Sequence, residues 1–237
     1  MEARQILDAM EELYQRCTSY EDQGRHWTFE EGNPEKLAGG AFETTYVRPG
    51  LLKFQVSIEG DESNVPITHI LQADGESIRV LELRENTPKS IVAYPNLDVA
   101  YGTIAGVTRG VYDFSLELLG EVNRIKITTP LTLDRLADEP IDDSSCYQLR
   151  GTLDKSGSRS YVCWIEKDSF ALKRVELRLS LSPEMVAEAN AQFNMIREAE
   201  GLPPEYIDLK PLKFIVHYDR VTFNNSITID AITTALA

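Results

Sequence analysis

The chain has 237 residues, 42% of them hydrophobic and 26% charged, with a formal net charge of −14. That size and composition suit a single globular domain over residues 1–237 with a real core, and the acidity disfavours nucleic acid and anionic membrane surfaces as partners. No stretch reaches the ~18 apolar residues of a transmembrane segment.

Met1-Glu2-Ala3-Arg4 leads straight into an amphipathic pattern, without a basic region followed by an apolar one. The expectation is either a cytoplasmic chain or a mature envelope (periplasmic) form whose leader was removed. Residues 2 to 18 predict a helix, with Ile6, Met10, Leu13, Tyr14 and Cys17 at three-to-four spacing. Residues 19 to 24 end it. His26 to Glu30 predicts a strand whose apolar face carries Trp27 and Phe29. A loop with Gly32, Asn33, Pro34, Gly39 and Gly40 precedes strands at Phe42 to Arg48 and Leu51 to Gly60, joined by the turn chemistry of Arg48-Pro49-Gly50. The second of these strands has the clearest pattern in the chain. Leu52, Phe54, Val56 and Ile58 take one face; Lys53, Gln55, Ser57 and Glu59 take the other. Ile67 to Ala73 and Ser77 to Arg84 then flank Asp74-Gly75, a dipeptide suited to a hairpin turn.

After Pro88 the character changes. Pro95-Asn96-Leu97-Asp98 opens a short helix over Val99 to Thr108, and Tyr112 to Leu119 is a second amphipathic piece. Strands resume at Ile125 to Thr128 and Leu131 to Leu136. Asp138-Glu139 and Asp142-Asp143, around Pro140-Ile141, predict an exposed turn, with a calcium-like loop as the weaker reading. A meander follows at Cys146 to Leu153, Arg159 to Glu166 and Leu172 to Leu181. Ser182-Pro183-Glu184 supplies an N-cap and a first-turn proline for a helix to about Glu200, with Met185, Val186, Ala189, Phe193 and Ile196 on its apolar stripe. Leu212 to Phe223 is the last strand. No repeat or linker divides the chain. The expected class is mainly β (α+β): a single curved antiparallel sheet, or incomplete β-barrel, with an N-terminal helix and inserted lid helices.

Catalytic and metal constellations are not visible. His26, His69 and His217 are scattered over separate strands, which suits hydrogen-bonded core or rim residues better than metal ligands. Cys17, Cys146 and Cys163 lack metal spacing and activating neighbours. Cys146 and Cys163 lie on two arms of one hairpin, so they are either a cross-strand disulfide or two small buried hydrophobes. Gly102, Gly106 and Gly110 lack the Gly-Lys-Ser/Thr ending of a phosphate loop and read either as hinges or close-packing points in a lid or as simple loop punctuation. No cofactor motif is present.

Several segments together resemble the LolA/LolB-type superfamily of outer-membrane lipoprotein-sorting carriers, and its uncharacterised bacterial branches more than the carriers proper. The matching residues are Thr18-Ser19-Tyr20 closing the first helix, Phe42 through Phe54 with Arg48-Pro49-Gly50 inside, Ile70-Leu71-Gln72-Ala73 before Asp74-Gly75, and the meander containing Cys146-Tyr147-Gln148-Leu149-Arg150-Gly151 and Cys163 through Val175. The resemblance implies a half-barrel whose concave apolar side is roofed by helices and accepts a lipid, an acyl chain or a lipoprotein's lipid anchor. No binding residue is carried over from it.

On this reading Tyr101, Ile104, Val107, Tyr112, Phe114 and Leu118 form the lid, and Trp27, Phe54, Val56, Val80 and Trp164 the wall. The same residues also suit an ordinary core. The expected function is a non-enzymatic apolar-ligand binder. The alternative is a protein-interaction module whose 183–200 helix docks a partner through Phe193 and Ile196.

Overall fold

The structure, a computed structural model, describes residues 1–59, 66–85, 87–107, 114–180, 182–199, 203–206 and 210–228. Its first half runs α1 (Ala3–Arg16), β1 (Ser19–Glu30), β2 (Lys36–Val47), β3 (Leu51–Ile58), β4 (Ile67–Asp74), β5 (Ile78–Arg84) and β6 (Thr87–Ala93). The helices α2 (Leu97–Val107) and α3 (Phe114–Leu118) come next. The second half holds β7 (Thr132–Arg135), β8 (Glu139–Ile141), β9 (Ser144–Thr152), β10 (Arg159–Glu166), β11 (Leu172–Leu179), α4 (Pro183–Ala199) and β12 (Leu212–Phe223).

All described strands join one twelve-stranded antiparallel sheet in the order β6-β5-β4-β3-β2-β1-β12-β11-β10-β9-β7, with β8 on β9. The sheet is not closed. Two meanders are zipped together where β1 pairs with β12. The alternation of β3 sets the faces: Leu52, Phe54 and Val56 are fully buried, and Lys53 and Gln55 are not. Across the sheet the same face presents Leu71 and Val80, then Val216, Val175, Cys163 and Leu149. Ile6, Leu7, Met10 and Tyr14 of α1, Ala100, Tyr101 and Ile104 of α2, and Phe114, Leu116 and Leu118 of α3 pack into that one cluster. An amphipathic helix and a one-sided sheet thus remove each other's apolar area from water, at roughly 1.5–3 kcal/mol per large side chain.

Several expectations are corrected. β1 begins at Ser19 rather than His26, because residues 19–24 pair with β2 on one side and β12 on the other. β2 likewise reaches back through Gly39 and Gly40 to Lys36. The β4–β5 corner is Gly75-Glu76, closed by the Asp74 N–H on the Ser77 carbonyl, with Gly75 at φ +88°. Ile125 to Thr128 is not a strand. There the amides of Ile125 and Ile127 donate to the Glu117 carboxylate, and Lys126 sits at φ +62°. β6 is a strand that the pattern hid, since all its residues are exposed. Residues 138–143 are exposed as expected except Ile141, but Glu139–Ile141 is a short strand, β8, that pairs with β9 through the turn at 142–143.

Candidate functional site

Register aligns the concave residues of β1 to β5 in rows. Tyr20, Tyr46, Leu52, Ala73 and Ile78 form the first; Asp22, Thr44, Phe54, Leu71 and Val80 the second. Gly24, Phe42, Val56, His69 and Glu82 form the third, and His26 and Gly40 begin the fourth. Over the second row lies α2, which contacts β4 and β5. The Tyr101 ring there stands 6.0 Å from the Phe54 ring. Phe114 opens α3 with its amide donating to the Tyr218 hydroxyl at 3.2 Å.

Gly102 allows close packing. A Cβ there would strike the Arg124 guanidinium, which lies across α2, donates to the Asp98 carbonyl and so ties the loop after α3 to the start of α2. Of the hinge and packing roles expected for the glycines, Gly102 takes the second; Gly110 lies outside the described residues.

At the first-row end a cleft of about 510 Å³ opens between the β2–β3 turn, the β4–β5 corner and the start of α2. Ala73, Ile78, Tyr94 and Leu97 give it an apolar wall, and Tyr46, Arg48 and Glu121 a polar side. Ala73 belongs to the core cluster, and Ile78, Tyr94 and Leu97 pack against it.

Arg48 is spoken for structurally. Its Nε donates to the Cys17 carbonyl at 2.9 Å, and Nη2 donates to the carbonyls of Tyr14 at 3.2 Å and Leu119 at 3.0 Å. A cation thus caps the carbonyl ends of α1 and α3 together. Beside it the Tyr46 hydroxyl donates to Glu121; burial, reinforced by that carboxylate, pushes the phenol's pKa up. None of these polar residues stood out in sequence, where Arg48 looked like simple turn chemistry and Glu121 like one acid among many.

Of the expected lid and wall residues, Phe54, Val56, Val80, Tyr101, Ile104, Phe114 and Leu118 all enter the main core cluster. The Val107 side chain and Tyr112 lie outside the described residues, as do the side chains of Met185, Ala189, Phe193 and Ile196.

Trp27 and Trp164 are corrections, because both stand on the convex face. Around Trp27 the buried residues of β1 are Asp22, Gly24, His26 and Thr28, while Trp27 itself lies beneath the Arg25 guanidinium, 5.6 Å away. Trp164 joins Ile141 and Cys146 in a second cluster under the β8–β9 hairpin, and its Nε1 donates to Glu139 at 3.0 Å.

The disulfide reading also falls. Cys146 faces Glu166 and Cys163 faces Leu149 in the register; the two thiols point to opposite faces, and all three cysteines are free. Burial raises the Cys163 pKa to about 12.

The carboxylates at 138–142 are engaged by protein groups rather than arranged as a calcium loop. Asp138 pairs with Arg135 at 2.9 Å and Lys167 at 2.9 Å, and Asp142 faces His217 Nε2 at 3.1 Å. Asp219 approaches the same His217 nitrogen at 3.4 Å. This histidine–carboxylate group belongs to the convex face, away from the cleft.

No protein-family model and no characterised protein matches the sequence. Solved structures do match the fold. LprF from Mycobacterium bovis superposes over 96% of this chain and 95% of its own, at 10% identity and a TM-score of 0.50. The Mycobacterium tuberculosis lipoprotein LppX covers 96% of this chain and 98% of its own, at 15% identity and a TM-score of 0.48. A LolA superfamily protein from Nitrosomonas europaea covers 98% of both chains at 12% identity, with a TM-score of 0.35. At 10% identity the likeness to LprF is one of fold alone.

Proposed function

From a fold of the LolA type, we propose that the protein is a non-enzymatic envelope binder of an apolar ligand: a lipid, or the acyl chain of a lipoprotein. The ligand lies between the concave face and the α2–α3 lid and enters through the first-row cleft. One observation carries this reading. The apolar wall of the cleft, Ala73, Ile78, Tyr94 and Leu97, runs without a break into the cluster beneath α2. Outward displacement of α2 would therefore lengthen the cleft into an apolar trough. Each methylene drawn from water into it contributes about 0.8 kcal/mol.

Purified protein incubated with a bacterial lipid extract and examined by native mass spectrometry tests the reading. The expected result is a retained apolar adduct, weakened by Leu97→Arg at the cleft wall. Absence of any adduct on the unaltered protein overturns it.

A further inference from the structure

The concave lining changes character along β1. In the rows nearest the cleft it is Leu52, Phe54, Leu71 and Val80. Farther along it gains His69 in the third row, His26 in the fourth and Thr28 beyond, all three buried, with His26 four to six residues of β1, about 13–20 Å, from the first two rows. His26 is 2% exposed. Neither of its ring nitrogens makes a hydrogen bond of good geometry among the described residues, and the one group that interacts with the ring in that way is the Ser57 carbonyl, which can take at most one of the two nitrogens. A neutral imidazole carries one donor and one acceptor, and leaving either buried and unmade is unfavourable.

Opposite His26 in the register stands Gly40. A Cβ there would run into the Ser57 carbonyl and come within 2.9 Å of His26 Nε2. The ring therefore lies over bare backbone, with no side chain at that position to satisfy it.

We infer that His26 is the polar anchor of the ligand space, and that it receives an uncharged hydrogen-bonding group (hydroxyl, ester or amide) of an otherwise apolar ligand. This rests on the carrier reading above and specifies the ligand's chemistry. An uncharged group is favoured because His26 is itself neutral near pH 7. Burial holds its pKa at about 4, although the Ser57 carbonyl and the Glu59 carboxylate pull the other way. Burial lowers the His69 pKa as well. At the nearby rim Arg84 is already engaged, with its Nε on Glu82 at 2.8 Å. An anionic head would thus be stripped of water beside no free cation in these rows, which is costly.

The test displaces Nile red from the full chain with three probes: dodecanol, dodecane and dodecanoate. The unaltered protein is expected to prefer dodecanol over the other two by about tenfold, the effect of one buried hydrogen bond. His26→Phe should reduce that preference below about twofold, and His26→Gln, which keeps a donor and an acceptor, should restore part of it. In the unaltered protein, ¹⁵N-labelled His26 should shift on dodecanol addition, a readout that needs no variant. Equal binding of the three probes, preference for dodecanoate, or an unmoved His26 resonance overturns the inference while leaving the carrier reading intact. Failure of all three probes to bind overturns both.

Discussion

β1 and β3 flank β2 in the same sheet and turn the same face inward, yet beyond Tyr20 the lining of β1 is polar where that of β3 is apolar. β3 contributes Leu52, Phe54 and Val56, fully buried in the main cluster. β1 contributes Asp22, Gly24, His26 and Thr28, no less buried. The core value of β3 is plain: apolar area removed from water. β1 adds less to that gain, because polar groups on a buried face cost stability unless their hydrogen bonds are made, as Asp22 makes one with the Tyr20 hydroxyl.

The contrast is open to direct attack. Phe54→Ala should cost about 3–5 kcal/mol in chemical denaturation, the usual range for a fully buried aromatic ring. A loss under 1 kcal/mol would mean the ring is not packed as described. Acid should act on β1 instead. The pKa of His26 falls from 6.5 to about 4 on folding, so the unfolded chain binds the proton more tightly. Its contribution is therefore complete above pH 6.5 and drains away as pH falls, by about 3 kcal/mol at pH 4. Denaturation midpoints between pH 7 and 4, compared with those of His26→Phe, isolate that share. At pH 7 the same substitution should stabilise by about 1–3 kcal/mol, since it removes a buried imidazole whose hydrogen bonding is incomplete. Destabilisation would place an unseen partner on the ring. Smallest is the convex side, where Trp164→Phe should cost about 1 kcal/mol through the lost bond to Glu139, measurable by thermal unfolding.

Legibility followed the same divide. β3 could be read directly, because strict alternation leaves one register, and Asp74-Gly75 marked the β4–β5 hairpin, although its corner residues are Gly75-Glu76. β1 could not. Trp27 and Phe29 mimic an apolar face, and the inward turn of His26 is set by pairing to β2 and β12 rather than by local pattern. Trp164 misled similarly: its burial comes from a hairpin folded over the convex face, which the acidic residues 138–143 disguised as a solvent loop. The buried helical residues Tyr101, Ile104, Phe114 and Leu118 were visible. The cleft was not, since it joins Arg48 to Glu121 and Tyr94 from three distant stretches of chain.

The open margin at β6 has its own consequence. Among the described residues no strand pairs with the outer edge of β6, and such an edge offers backbone to any extended chain that drifts past. Here that rim bears Pro88, which has no amide hydrogen to give, and Lys89, whose ammonium resists being stripped of its hydration. Ile91 and Val92, at 58% and 45% exposure, follow directly, and a proline and a lysine beside such an apolar stretch are the residues that disfavour rim-to-rim pairing of two copies.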